Sequence, residues 1–178
     1  MRIARAFALM LGLLGGWSGQ AGETGGDTLA GSWFVDVIPQ PEPPEVPEPP
    51  PPFVSILNFG LAGTVVETDT SLSNNMLLDL FPPEVSPPFT ASDGYGSWKR
   101  TGLNRFRCTV IKFMFDEGGV PLGMINTTLD LVMKEDGRLE GEGASDFIEG
   151  FDPEGEVFFT GEVILEGRRL EVEGQGTE

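Results

Sequence analysis

Lys112 stands in an otherwise apolar run, Ile111-Lys112-Phe113-Met114-Phe115, and four aspartates, Asp69, Asp93, Asp116 and Asp152, fall at strand ends or turns. An inward lysine could hold a ligand carboxylate or act as a base with a lowered pKa. The expected arrangement is the opposite one, with Lys112 facing out beside Cys108 and Met114 and its stem covering apolar surface, because lysine is rarely buried without a partner. Two carboxylates at an acid/base spacing would mark an enzyme. Each of these aspartates, however, sits beside Gly or Pro or at a strand end, where Asp ordinarily serves a turn. The loops 115–119 and 151–155 lack the alternating oxygen ligands of a calcium site, so neither metal nor cofactor is expected. The chain has no histidine, which removes His-based metal sites, the usual nucleophile triads and the commonest general base. Tyr95 is the only tyrosine and is placed just inside an opening, able to hydrogen-bond a ligand, with Trp98, Phe53 and Phe89 as rim aromatics. No residue is assigned a catalytic role.

The elements that would position these groups are strands. Runs at 31–38, 53–59, 64–68, 96–102, 105–116, 123–134, 138–149 and 156–166 alternate in character, and short turn segments such as Thr101-Gly102-Leu103-Asn104 and Glu135-Asp136-Gly137-Arg138 divide several of them. Residues 168–172 either extend the last strand past Gly167 or form a ninth piece. The fold class is all-β: an eight-stranded antiparallel up-and-down β-barrel, since closure is the simplest way for a long meander to hide its edges. Nine of the fourteen residues 39–52 are Pro, so that segment is an extended loop, read as a lid or spacer over the barrel mouth. In an up-and-down barrel the long connections 39–52 and 69–93 share one end with the loops at 117–121 and 150–155, and the other end has only tight turns. The long-loop end is the expected mouth. Residues 76–81 could add a helical turn or a hydrophobic plug.

Alternation then selects the lining. Ile125, Thr127, Leu129, Leu131 and Met133 share one face. Glu140 and Glu142 must meet water, which turns Leu139, Gly141, Gly143, Ser145 and Phe147 inward. Glu162 and Glu166 likewise place Val157, Phe159, Gly161, Val163 and Leu165 inside. Inward glycines leave space that either a ligand or side chains from across the barrel would fill. The candidate ligand-binding set is Tyr95, Ile125, Leu129, Gly143, Phe147, Phe159, Gly161 and Val163. The 105–115 strand is apolar on both faces, so its inward side stays open.

The first 21 residues read as a cleaved signal peptide: Arg2 and Arg5, an apolar run 6–17 too short to span a bilayer, then Gly19-Gln20-Ala21. Secretion or periplasmic export follows, without membrane insertion of the mature chain. Residues 22–29 form a polar lead-in, 30–173 one barrel domain and 174–178 a tail. The full chain carries 11 basic and 28 acidic residues, a net charge of −17. Loss of Arg2 and Arg5 would leave −19, a charge that repels nucleic acid and anionic lipid. Cys108 is the single cysteine and is expected to be a buried small hydrophobe.

Gly31-Ser32-Trp33 on the first strand, with Arg168 or Arg169 closing the last, resembles the lipocalin and wider calycin pattern. The resemblance implies a structural role for these residues, with the Trp plugging the closed end beneath a guanidinium stacked on its ring. The chain departs from lipocalins in having no disulfide and no long helix after the last strand. Residues 31–170 also resemble bacterial exported proteins of uncharacterised function through Gly96 to Gly102, Phe106 with Thr109, Asp116 with Gly119, and Gly167 with Arg168 and Arg169. That likeness implies export and a calycin-like barrel and no activity. The expected function is binding or carriage of a small apolar molecule in the barrel. The alternatives are a barrel isomerase or cyclase, similar to allene oxide cyclases, that works by positioning its substrate, and a filled barrel with a structural role.

Overall fold

The computed structural model describes residues 28–40, 52–69 and 88–171. Nine strands follow in order: β1 (Gly31–Pro39), β2 (Phe53–Phe59), β3 (Thr64–Asp69), β4 (Thr90–Ala91), β5 (Gly94–Gly102), β6 (Arg105–Phe115), β7 (Pro121–Met133), β8 (Arg138–Glu149) and β9 (Val157–Arg169). Among the described residues there is no helix. Every pairing is antiparallel, β6 pairs with β7, and β1 pairs with both β2 and β9, so the sheet closes on itself. The ring holds eight strands. The two-residue β4 lies on the same side of β6 as β5 does, Ala91 opposite Met114 and Tyr95 opposite Ile111, and acts as a detached first step of β5.

Alternation drives the closure. Along β6 the buried side chains are Phe106, Cys108, Val110, Lys112 and Met114, while Arg105, Arg107 and Phe113 face water. This settles the ambiguous strand and corrects the expected direction of Lys112, which points inward with Cys108 and Met114. In β8 and β9 the glutamates 142, 162 and 166 are exposed and Leu139, Phe147 and Leu165 are buried. β9 runs unbroken through Gly167 to Arg169, so the extension, not a ninth piece, is what forms. A bulge between Phe147 and Ile148 sets Phe147 against Phe159 and Ile148 against Val157. That one-residue slip turns Val157 outward, 46% exposed, where simple alternation placed it inside.

The tight turns at 60–63, 103–104 and 134–137 mark one pole, and the chain leaves and re-enters at the other beside the 116–120 and 150–156 loops. Residues 1–21, read as a signal peptide, residues 41–51 of the Pro-rich segment and the 76–81 segment lie outside the described residues. The tight-turn pole is sealed. Trp33 is fully buried and donates its indole N–H to the Leu29 carbonyl at 2.8 Å. The Arg169 guanidinium lies 4.8 Å from the Trp33 ring centroid and donates to the Ala30 and Thr28 carbonyls at 3.0 and 2.6 Å. Arg168 instead lies 4.9 Å over Phe34. Above this floor Leu57, Phe59, Val65, Phe106, Leu131 and Leu139 pack as one core. Trp98, read as a rim aromatic, belongs to this pole. Its ring meets Phe59 and Phe106 edge-on and its N–H reaches the Gly60 carbonyl at 2.9 Å.

Candidate functional site

The mouth-side half of the interior carries the chemistry. On β3, Glu67 and Asp69 are inward and two apart, and Ser55 on β2 pairs with Asp69. On β6, Lys112 reaches them across the intervening strand β5. Its Nζ stands 2.6 Å from Asp69 Oδ2 and 3.1 Å from Glu67 Oε1. The Ser55 hydroxyl donates to Glu67 Oε1 at 3.0 Å, and all four residues are buried. Glycine on β5 makes the reach possible. A Cβ on Gly94 would fall 2.4 Å from a Val110 methyl carbon and 3.1 Å from both Glu67 Cβ and Lys112 Cε, so any larger side chain would occupy the lysine's path.

Desolvation is the largest single influence on Lys112 and lowers its pKa, but the summed attraction and hydrogen bonds of Glu67 and Asp69 outweigh it, and the net shift is upward. Lys112 is therefore an ammonium at neutral pH, held by two carboxylates. It is not the depressed-pKa base considered above. Asp69, read as a turn residue, is instead part of this cluster. Asp116 and Asp152 do serve turns, accepting from the Val120 and Glu154 amides at 2.7 and 3.0 Å. Asp93 is exposed.

Beside the cluster lies an aromatic wall. Phe89, fully buried, meets Phe147 edge-on at 6.1 Å, and Phe147 meets Phe159 at 5.6 Å and Phe158 at 6.2 Å. Ile125, Ala91 and Met114 complete this second core. The inward hydroxyls of Thr127 and Ser145 lie 2.9 Å apart. Inward Phe53, Val163, Gly161 and Phe159 are only partly buried, in contrast to the sealed floor.

Comparison of the chain with protein-family models, curated proteins and solved structures finds no match.

Of the candidate set, Ile125, Phe147 and Phe159 come together on one wall, with Gly161 next to the Phe159 ring. Leu129 belongs to the floor core, and Val163 packs against it. Gly143 does not open room for a side chain: a Cβ there would fall against the Thr128 carbonyl oxygen, so this glycine lets β8 crowd the β7 backbone. Gly141 would likewise meet a Leu131 methyl carbon at 2.5 Å. Gly141 and Gly143 thus answer to crowding from β7. Tyr95 is corrected too. It lies opposite Val66 and Ile111 on the outer face and is 61% exposed, so it cannot contact an interior ligand. Ser55, Glu67 and Gly94 are the residues that the strand-by-strand reading missed. The available signal was Gly94 and Gly96, two inward glycines facing an isolated lysine one strand away.

On the outer face, Asp130, Glu142 and Glu162 border a shallow concavity of about 490 Å³ over β7–β9, together with Thr128, Ala144 and Ile164. No trio of Asp, Glu or Cys suited to a metal occurs among the described residues.

Proposed function

We propose that this barrel binds a small, mainly apolar molecule in the mouth-side half of its interior, as an exported calycin-like carrier. The observation that carries the reading is the contrast between the two halves. Inward Trp33, Phe106, Leu131 and Leu139 are sealed, whereas Phe159 on the aromatic wall and Phe53 at the start of β2 remain partly exposed. An apolar guest there would gain about 25 cal/mol for each Å² that it removes from water. The Lys112–Glu67–Asp69 cluster stands to one side as the polar landmark that a pocket of this kind uses to orient its guest.

Convergence of one ammonium and two carboxylates favours a second reading, a barrel isomerase or cyclase. Such an enzyme would hold its substrate folded against the aromatic wall while the fixed charges stabilise a polarised transition state. Burial of Phe89 among Ile125, Met114 and Phe147 supports the third reading, a barrel filled by its own chain. The test is titration with a solvatochromic apolar probe. Gly161→Phe, beside the Phe159 ring, should raise the probe's Kd at least tenfold with the unfolding transition retained. Equal Kd in both proteins would place the probe elsewhere and remove the carrier and enzyme readings together.

A further inference from the structure

Between residues 6 and 98 the chain has no Lys or Arg, and then four of its eleven basic residues fall within 99–107. They occupy the two arms of one hairpin, Lys99 and Arg100 on β5 and Arg105 and Arg107 on β6, with Lys99 opposite Arg107. Arg107 is committed to Asp130 through a two-pronged pair at 2.8 and 2.6 Å. Lys99, Arg100 and Arg105 are exposed and make no ion pair among the described residues, Arg100 donating to the Gly102 carbonyl at 3.0 Å and lying 6.0 Å from the Phe106 ring centroid. Of the carboxylates on the neighbouring 134–137 turn and the start of β8, Asp136 and Glu140 are engaged by Arg138 and Lys134, and Glu135 is exposed without an ion pair among the described residues.

The hairpin tip is apolar and convex. Leu103 is 82% exposed beside Asn104, whose φ of 90° makes the turn. Pairing of β3 with β5 stops at Thr64 and Ser97, so residues 99–104 run on past the β2–β3 turn, where Leu61 is 88% exposed. Lys112, the one basic residue in the mouth half of the described barrel, is buried and paired. Asp93, Glu117, Asp152, Glu154 and Glu156 are exposed at that opposite pole. The eleven residues of β6 at about 3.3 Å each set the poles roughly 30 Å apart, several times the Debye length of about 8 Å at physiological salt. The net charge of −17 therefore does not govern what the hairpin meets.

We propose that the β5–β6 hairpin docks the protein peripherally on an anionic lipid surface. Leu103 enters the headgroup boundary, and Lys99, Arg100 and Arg105 lie at the phosphate level. A lone protruding leucine ringed by cations suits a deformable lipid interface, which closes around a convex tip, better than a preformed protein cavity. The barrel mouth then faces away from the bilayer.

The test is co-sedimentation of the full chain with vesicles of equimolar phosphatidylglycerol and phosphatidylcholine. Vesicles of phosphatidylcholine alone and buffer at about 0.3 M salt serve as controls. Binding should require the anionic lipid and fall with salt. K99Q/R105Q should lower partitioning about fivefold per cation, about 25-fold for the pair, with an unchanged thermal transition. Any lipid affinity of the apolar stretch 6–17 would survive that substitution and so be recognised. Equal binding to neutral vesicles, or undiminished binding of K99Q/R105Q, would overturn the proposal. So would binding to an acidic polypeptide without binding to anionic vesicles.

Discussion

Without the Lys112 ammonium, Glu67 and Asp69 would be buried carboxylates lacking their counter-ion. Removing one partner of a buried ion pair costs about 3–5 kcal/mol, whereas neutralising all partners together costs far less. K112M should therefore lose roughly that amount in equilibrium urea unfolding, and K112M/E67Q/D69N should regain most of it. A K112M variant within about 1 kcal/mol of wild type would mean that the cluster is wet. The ammonium's pKa is raised above its ordinary value of 10.5, and the sign of the pH dependence follows. Its stabilising contribution is complete below that value and fades as pH climbs through the folded-state pKa, so alkaline titration should cost wild type more stability than K112M. Cys108, on the same inward row, gives an independent probe of dryness. Burial first, then Glu67 and Asp130, pushes its thiol up to about 12. At about pH 8, where a free thiol of pKa near 8.5 reacts readily, the native protein should resist a disulfide reagent and be labelled only on unfolding. Fast native labelling would contradict the packing.

At the scale of strands, crowding governs what glycine does. A methyl at Gly143 would be driven into the β7 backbone, which cannot yield as a side chain can. At Gly161 it would meet only the edge of the Phe159 ring at 3.1 Å, which can swing. G143A should thus cost about 1–3 kcal/mol, the range for overpacking, and G161A less than about 1 kcal/mol, measured by denaturant unfolding. Equal losses would mean that β8 can move away from β7. This distinction also shows what could be read from the chain alone. Glu142, Glu162 and Glu166 fixed the faces of β8 and much of β9 because a charged residue outside forces its neighbours inside. On β6 Arg105 and Arg107 mark the outer face at its start, but Lys112 falls on the opposite parity, and the run from Ile111 to Phe115 is apolar on both faces. The correct face depended on carboxylates 43 and 45 residues away in sequence, at Asp69 and Glu67, lined up by the β3–β5–β6 register. Val157 escaped for a related reason: a bulge adds one residue, reverses every later side, and leaves no mark in the alternation itself. Tyr95 was misplaced because strand β5 begins two residues earlier than its apolar pattern suggests.

For the molecule as a whole, closure is the step that joins the chain's two ends. β1 and β9 pair from Trp33 opposite Arg169 to Pro39 opposite Val163, and each strand would otherwise present an open edge. The same pairing brings Arg169 onto Trp33 and the 28–30 carbonyls, so the seal on the floor and the seam of the wall form together. Ending the chain after Ile164 would remove Leu165, buried in the floor core, and Arg169, and would leave Trp33 to Val37 unpaired on one side. On its other side β1 pairs only with β2. The truncated chain should therefore lose its near-ultraviolet circular dichroism and cooperative unfolding. It should also elute as large species in size exclusion, since the exposed edges of β1 and β8 can pair with other copies. Retention of a monomer that unfolds cooperatively would show that the fold does not need the last five residues of β9. The wall would then stand open between Trp33–Val37 of β1 and the end of β8 at the floor, and the interior would have no sealed end against which to hold a guest.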